Sequence, residues 1–403
     1  MPRLEVQDAP GETLNLLERV RMECDEHPAA IAIDSGNCRI SYGELATQIA
    51  IIAETLKRAG CAPGEVIAVI IPDRAVLIAA MLAIFEAGCI FVPISDGAPP
   101  QRSIRLLKWL RPKLLLTIES VRGSVDSVAR LGAETPVLSL IANGTADARP
   151  HYDNASETIL PNASAPAYVY FTSGSTGEPN GIVGSLSGLA ARIAWEIDAL
   201  KISRGYRVSQ LIAPTFDPWF RDIFVALCAG GTICIPPEPP ARLTPEALVQ
   251  WLFDSRINLI HCGPTLLNSI LSAPARIRKL PDLGWVLLSG EFLHVSLVAR
   301  WRRRFGRATR LVNLYGATEG TMVQFHHVIQ PEDLQREFIP IGRPLTDVDV
   351  LLLDQNERPC LPGQAGEILV GGPALSLGYF RNQAATRRAF TLIDLPNHGP
   401  ARF

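Results

Sequence analysis

The chain has 403 residues, 47% apolar and 19% charged, which is enough for two or three packed subdomains rather than one core. Its formal charge of −2, with both signs interspersed, supplies no field for gathering nucleic acid or anionic lipid, and neither is an expected partner. The eight cysteines are scattered without a C-x-x-C pair, Met1 to Pro10 has no basic segment leading into an apolar one, and no uncharged stretch approaches the ~20 apolar residues of a membrane span, so the expectation is a reduced, cytoplasmic, monomeric protein without a zinc or disulfide framework.

Along the chain, Leu45, Ile49, Ile52 and Leu56 fall at helical spacing, behind a capping box from Ser41 to Glu44 and ahead of Gly60. A buried-type strand at Val66–Ile71, an apolar helix at Ala75–Ala87 closed by Gly88, and a strand at Ile90–Ile94 follow. Strand, helix and strand built from continuous apolar runs predict a parallel sheet covered on both faces. Pro, Gly, Ser and Asn thicken between Ala142 and Pro166, which predicts a loose connection, and the pattern restarts at Ala167–Phe171. Further strands are predicted at Val208–Ile212, Thr232–Ile235, Leu259–Cys262, Val286–Leu288 and Leu311–Asn313, with a helix opened by Thr244-Pro245-Glu246. Beyond about residue 325, Asp347–Asp354 and Glu367–Val370, separated by Pro362-Gly363, read as short strands without intervening helices, as in a small antiparallel barrel. The expected organisation is α/β, with one subdomain over 1–165, a second over 166–325 and a barrel-like unit over 326–403.

The stretch with most chemical content is Tyr170-Phe171-Thr172-Ser173-Gly174-Ser175-Thr176-Gly177-Glu178-Pro179-Asn180-Gly181, directly after an apolar strand. Small residues and hydroxyls let backbone N–H groups close around phosphate oxygens, where bulky side chains would obstruct them. It lacks the G-x-x-x-x-G-K-[ST] spacing of a P-loop. Further along stand Ser41-Tyr42-Gly43-Glu44-Leu45, Glu86-Ala87-Gly88-Cys89-Ile90-Phe91-Val92-Pro93-Ile94, Ser289-Gly290-Glu291, Asn313-Leu314-Tyr315-Gly316-Ala317-Thr318-Glu319, Gly366-Glu367-Ile368-Leu369-Val370-Gly371-Gly372 and Gly378-Tyr379.

As an ordered set covering essentially the whole chain, these motifs resemble the adenylation domains of nonribosomal peptide synthetases, within the acyl-adenylate-forming superfamily. The resemblance implies two adjacent mixed or parallel sheets with flanking helices plus a small barrel, and ATP-dependent activation of an amino acid. It implies that Thr172, Ser173, Gly174, Ser175, Thr176 and Gly177 hold phosphate, and that Gly290, Glu291, Phe292 and Gly316 line the nucleotide site. Asn313 would then hydrogen-bond the adenine, Tyr315 pack against its face, Thr318 meet the α-phosphate and Glu319 hold Mg²⁺. Each role suits the side chain, since a carboxylate favours a hard cation and an amide can read both donor and acceptor edges of a base. One departure stands out: Asn180 occupies the place where the family loop usually has Lys, and Leu186 a place where His often occurs.

Phe216-Asp217-Pro218-Trp219 matches the place where amino-acid-activating members pair an Asp with the substrate ammonium. As a residue on its own, Asp217 would read as a helix N-cap. The resemblance also puts Pro218, Arg221, His261, Leu287, Ser289, Leu314, Met322 and Val323 along the pocket. The series His261, Leu287, Ser289, Leu314 resembles serine-activating members, and Arg221 additionally suits an acidic group. Taken singly, His261 would be a satisfied core histidine and Arg221 a solvated charge. The resemblance further implies a carrier protein whose phosphopantetheine thiol takes the acyl group, and a C-terminal lid domain, supplying a ribose-binding Asp and a catalytic Lys, that lies beyond Phe403. Two other readings remain open: an acyl- or aryl-CoA ligase, whose substrates have no ammonium for Asp217, and a non-catalytic nucleotide- or amino-acid-binding module.

Overall fold

A computed structural model describes residues 15–132, 134–140, 162–172, 180–274, 279–395 and 399–403. Two large sheets organise the chain. The nine-stranded sheet runs, edge to edge, Arg343–Pro344, Phe325–Val328, Arg310–Tyr315, Trp285–Leu288, Leu259–Cys262, Arg207–Ser209, Thr232–Cys234, Ile31–Asp34 and Arg39–Ser41. Its six inner strands, from Arg310–Tyr315 to Ile31–Asp34, are parallel, and its edge pairings are antiparallel. The seven-stranded sheet runs Gly378–Tyr379, Asn180–Ser185, Pro166–Thr172, Ile90–Pro93, Val66–Val69, Leu114–Ile118 and Val137–Leu140.

Two helices lie between the sheets and explain why their sequences lack a polar face. In Arg74–Glu86 every residue from Val76 to Phe85 is buried, and in Trp219–Cys228 all ten are. A helix that is apolar all round has no solvent side to present. Their side chains join both sheets in one core, where Phe220 packs edge-on to Tyr168 and Tyr170, and Phe91 stacks on Trp219. The outer faces carry separate cores, one built with Leu248, Leu267 and Trp301, the other with Leu107, Leu110 and Ala129. Among the described residues, no helix is long and apolar enough to cross a membrane.

The expected subdomain boundaries do not follow the sheets. Ile31–Asp34 and Arg39–Ser41, from the first third of the chain, complete the sheet of the second, while Pro166–Thr172 and Asn180–Ser185 pair into the sheet of the first. A parallel strand such as Ile31–Asp34 must find its partner, Thr232–Cys234, across a long crossover that leaves no local signal in the sequence. Beyond residue 325 the described strands form hairpins, Asp349–Leu353 with Glu367–Gly371 and Leu392–Leu395 with Gly399–Arg402, or add to sheet edges; no closed barrel is formed among the described residues. The expected loose connection at Ala142–Pro166 falls mostly outside the described residues.

Gly184 pairs with Tyr168 across the antiparallel strands, and a Cβ there would lie 1.9 Å from the tyrosine Cζ. The ring, packed against Phe220, has no room to retreat. Gly184→Ala is therefore expected to cost about 3 kcal/mol by overpacking, read as a lower thermal midpoint; an unchanged midpoint would mean that the ring relocates freely.

Candidate active site

The carboxyl ends of the parallel strands converge where open α/β sheets place their ligands. Strand Arg310–Tyr315 delivers Asn313, Leu314 and Tyr315, after which the chain turns through Gly316 into a short 3₁₀ segment, Thr318–Gly320. A Cβ on Gly316 would lie 2.4 Å from the Met322 carbonyl, and one on Gly320 would lie 2.5 Å from the Gln324 side chain, so both positions require glycine. Gln324, buried, staples this loop: its Oε1 accepts from Ala317 N–H at 2.8 Å and its Nε2 donates to Gly320 O at 2.6 Å. Thr321 and Met322 sit at φ of 63° and 65°, sparsely populated for residues with side chains, and the Thr321 hydroxyl donates to Ala374 O.

Asp217 lies just before the helix Trp219–Cys228, yet it is not the N-cap. Pro218 holds that place, and no side chain caps the helix. The Asp217 carboxylate is 6% exposed; its Oδ1 accepts from the Thr318 hydroxyl at 3.2 Å, and its Oδ2 is buried without a hydrogen-bond partner. Burial pushes its pKa up to about 6, against the opposing pull of Thr318 and nearby backbone N–H groups, and the Glu319 charge adds to the rise. The hydroxyls of Tyr168 and Tyr170 are held far above the ordinary phenol range, first by burial and then by the Asp217 charge. An uncompensated carboxylate in such surroundings is costly unless a cation arrives to neutralise it.

Thr172 and Asn180 face each other at the ends of paired strands; Ser173, Gly174, Ser175, Thr176 and Gly177 lie outside the described residues. The strands that flank them reach the rest of the site at two points. The Tyr170 hydroxyl donates to Pro214 O at 3.0 Å, in the turn ahead of Asp217, and Tyr379, paired with Ile182, donates from its hydroxyl to Glu319 Oε1 at 2.8 Å. Thr172, Asp217, Thr318 and Glu319 are thereby tied together by hydrogen bonds and strand pairing. On the neighbouring rim, Gly290 takes a left-handed φ of 86°, Glu291 accepts from the Thr265 hydroxyl, and the rings of Phe292 and Tyr315 are 60% and 46% exposed, a large apolar area for water to cover. Asn313 is buried, with Nδ2 donating to Pro340 O at 2.8 Å.

His261 and Arg221 are not open pocket groups. Both are 1% exposed and belong to a buried ion network with Glu196 and Asp222. His261 shares its register row and sheet face with Leu287, whose own partner in the next strand is Val312, two residues before Leu314, while Pro218 and Ser289 are half-buried and Met322 and Val323 buried. Glu196, Asp222 and Gln324 are members that sequence reasoning missed, and Tyr379 stood in the Gly378-Tyr379 motif without a role. The legible signal was an adjacent Arg-Asp pair inside an otherwise apolar ten-residue helix, where charge must find charge. A separate cleft of about 740 Å³, lined by Arg39, Gln48, Asp73, Arg74 and Pro236 among others, contains none of the site residues. The unpaired buried carboxylate marks the candidate site, because a buried charge demands a partner and open volume does not.

The sequence matches the family model described as AMP-binding enzyme over residues 20–380. It is 35% identical over 370 residues to CymA of Salinispora arenicola (strain CNS-205), a probable non-canonical nonribosomal peptide synthetase, covering 90% of this chain and 4% of that protein. It is 31% identical to novobiocin biosynthesis protein H of Streptomyces niveus, covering 94% of this chain and 61% of that protein. The chain thus spans less than two thirds of either. Its fold superposes on the nonribosomal peptide synthetase FmoA3 in an α-methyl-L-serine-AMP bound form with a TM-score of 0.84 at 27% identity, covering 99% of this chain and 44% of that one. It also matches the N-terminal subdomain of NpsA from Klebsiella oxytoca, with a TM-score of 0.80 over 96% of this chain and 94% of that subdomain.

Proposed function

The chain belongs to the AMP-binding enzyme family and is homologous to nonribosomal peptide synthetase adenylation domains, and from that premise we propose that it activates a small α-amino acid, serine or a serine-like or acidic one, as its aminoacyl-adenylate. The observation that carries this reading is the Asp217 carboxylate, buried with one oxygen unpaired. An α-ammonium supplies the missing cation, and an acid without one would leave the carboxylate uncompensated, which disfavours an acyl- or aryl-CoA ligase.

With the ammonium on Asp217, the substrate carboxylate attacks the α-phosphorus of ATP and pyrophosphate leaves. The work is positioning and charge neutralisation, with no side-chain nucleophile. Thr318, one hydrogen bond from Asp217 and next to Glu319, stands between the amino-acid seat and the phosphates. Phe292 and Tyr315 offer aromatic surface to the adenine, with open space beside Gly290 and with Gly316 letting the loop close on the Met322 carbonyl, and Asn313 reads the base edge. Ser173 to Gly177 would cradle the phosphates. Glu319 fits Mg²⁺: it is a half-buried carboxylate fixed by Tyr379, and Mg²⁺ is commonly held by one or two carboxylates plus substrate phosphates. When bound, the ion neutralises phosphate charge. The phosphopantetheine thiol of a carrier protein then attacks the acyl carbon, the acyl–phosphate bond breaks and AMP leaves, in the cytoplasm, where the eight cysteines stay free.

The test is amino-acid-dependent exchange of pyrophosphate into ATP by the intact protein, across a panel weighted toward serine, cysteine, aspartate and O-phosphoserine. Exchange with one of these is expected; exchange only with acids that lack an α-amino group would overturn the reading in favour of a ligase, and nucleotide binding with no exchange would favour a binding module.

A further inference from the structure

The helix Trp219–Cys228 carries two adjacent charges, Arg221 and Asp222, on otherwise apolar turns, and both are buried. Their partners come from two other elements: Glu196, 1% exposed, from the helix Leu186–Leu200, and His261 from the strand Leu259–Cys262. Arg221 Nε donates to Glu196 Oε2 at 2.7 Å, with Nη2 at 2.6 Å from the same oxygen. The other Glu196 oxygen lies 2.5 Å from His261 Nε2, and His261 Nδ1 lies 2.8 Å from Asp222 Oδ1. Asp222 Oδ2 accepts from the backbone N–H groups of Leu211 and Ile212 at 3.0 and 2.9 Å.

Each ring nitrogen of His261 faces a carboxylate; with both carboxylates ionised the ring donates from both nitrogens as an imidazolium, and if Asp222, whose carboxyl burial pushes above its ordinary range, holds the shared proton instead, the total charge is the same. Burial by itself would discharge it, but Glu196 and Asp222 outweigh burial and the repulsion of Arg221 and hold its pKa above the ordinary range. Two carboxylates, one guanidinium and one imidazolium sum to zero. Arg74, a charge outside the four, is hydrogen-bonded to Gln210 and faces Asp96 as well as Asp222. The Arg221 guanidinium keeps two buried nitrogens without a hydrogen-bond partner, Nη1 and Nη2, of which only Nη2 lies at ion-pair distance from Glu196, and a hydroxyl oxygen could accept from Nη1 without adding charge.

We propose that Glu196 is a specificity-determining residue of the amino-acid pocket: by neutralising Arg221 and His261 it leaves the pocket, beyond the ammonium seat at Asp217, without net charge. The pocket then takes a small neutral side chain, such as the hydroxymethyl of serine, and turns away the acidic side chains that Arg221 alone would attract. An acidic side chain would enter as a third buried anion beside a guanidinium already committed to Glu196, and such a charge costs more to bury than the network can return. This rests on the reading of the chain as an amino-acid-activating enzyme.

The experiment is pyrophosphate exchange by the intact protein at pH 6.5 with serine, alanine, aspartate and O-phosphoserine, for the wild type and for Glu196→Gln. The wild type is expected to favour a small neutral amino acid over aspartate, and the variant, nearly isosteric but uncharged, to lower that neutral-over-acidic ratio by about tenfold or more. A merely structural glutamate would depress all substrates together, and an unchanged ratio overturns the proposal. So does a wild type that prefers aspartate or O-phosphoserine, a result that needs no variant to fold. No exchange with any amino acid would instead sink the adenylation reading itself, and this inference with it.

Discussion

Asp217→Asn is expected to abolish amino-acid-dependent exchange and, at the same pH, to make the protein more stable. Asn is nearly isosteric, and its carbonyl can still accept from the Thr318 hydroxyl, so the loop geometry survives. What disappears is the charge. The native carboxyl titrates at about 6 against an ordinary value of 3.8, so the folded state binds the proton more tightly than the unfolded chain does. Stability from this group is therefore highest below about pH 4, falls as pH rises through 6, and carries the full penalty at pH 8. A shift of about two pH units corresponds to about 3 kcal/mol, which the Asn variant would recover at pH 8 and not at pH 4.

The ammonium that normally offsets this penalty then meets a neutral amide. Losing the charge partner of a buried cation costs about 3 kcal/mol or more, a hundredfold or greater loss in exchange carried by the amino acid, with ATP binding unaffected. Thermal midpoints at pH 4 and 8, read beside exchange rates, decide the matter. A variant less stable than wild type at pH 8 would show that Asp217 already has an internal cation. In the wild type, the amino-acid KM is expected to rise as pH falls through about 6, because protonated Asp217 cannot pair with the ammonium.

Local structure was legible where local chemistry decides it. The Ser41 and Glu44 capping box forms in both directions, Thr244 caps the helix Pro245–Asp254, and the strand Leu259–Cys262 has the expected bounds. Each depends on residues within a few positions of one another. The site was legible in part, through the order of its motifs and the position of Asp217. What could not be read is long-range. Nothing near Ile31 announces Ile233 as the neighbour of Ile33, and nothing near Glu196, in a helix with Leu189 and Ile193 on its buried side, announces an imidazole 65 residues away. The same holds for Arg221 and His261, which the resemblance set along the pocket as groups that read a substrate, although His261 taken singly read as a satisfied core histidine. Nε of Arg221 and the ring nitrogens of His261 are instead committed to the carboxylates of Glu196 and Asp222, and in the reading proposed above they bear on the pocket through the neutrality of that network.

Asp222 gives the sharpest contrast between two substitutions at one position. Asp222→Ala would strand the N–H groups of Leu211 and Ile212 and one His261 nitrogen, all currently served by this carboxylate, and leave the remaining three charges at a net +1. Each buried donor without a partner costs about 1–3 kcal/mol, so a total of 4 kcal/mol or more is expected, a large part of the 5–15 kcal/mol that typically holds a domain folded. The variant should yield little soluble protein, or melt far below the wild type. Asp222→Asn should be mild, because its carbonyl oxygen can still serve the two backbone N–H groups while its amide donates to Nδ1 of a neutral His261. Glu196 and Arg221 then balance by themselves, so neutrality is kept with one proton fewer. The sign of the pH response distinguishes the two states of the histidine. In the wild type its raised pKa contributes stability that is complete below pH 6.5 and is lost as pH rises through the shifted value. In the Asn variant protonation would set an imidazolium against an amide donor, so that contribution should vanish or reverse on acidification. If Asn proved as damaging as Ala, the carboxylate charge itself, rather than its acceptor geometry, would be what holds the Leu211–Ile212 turn and the Asp217 that follows it.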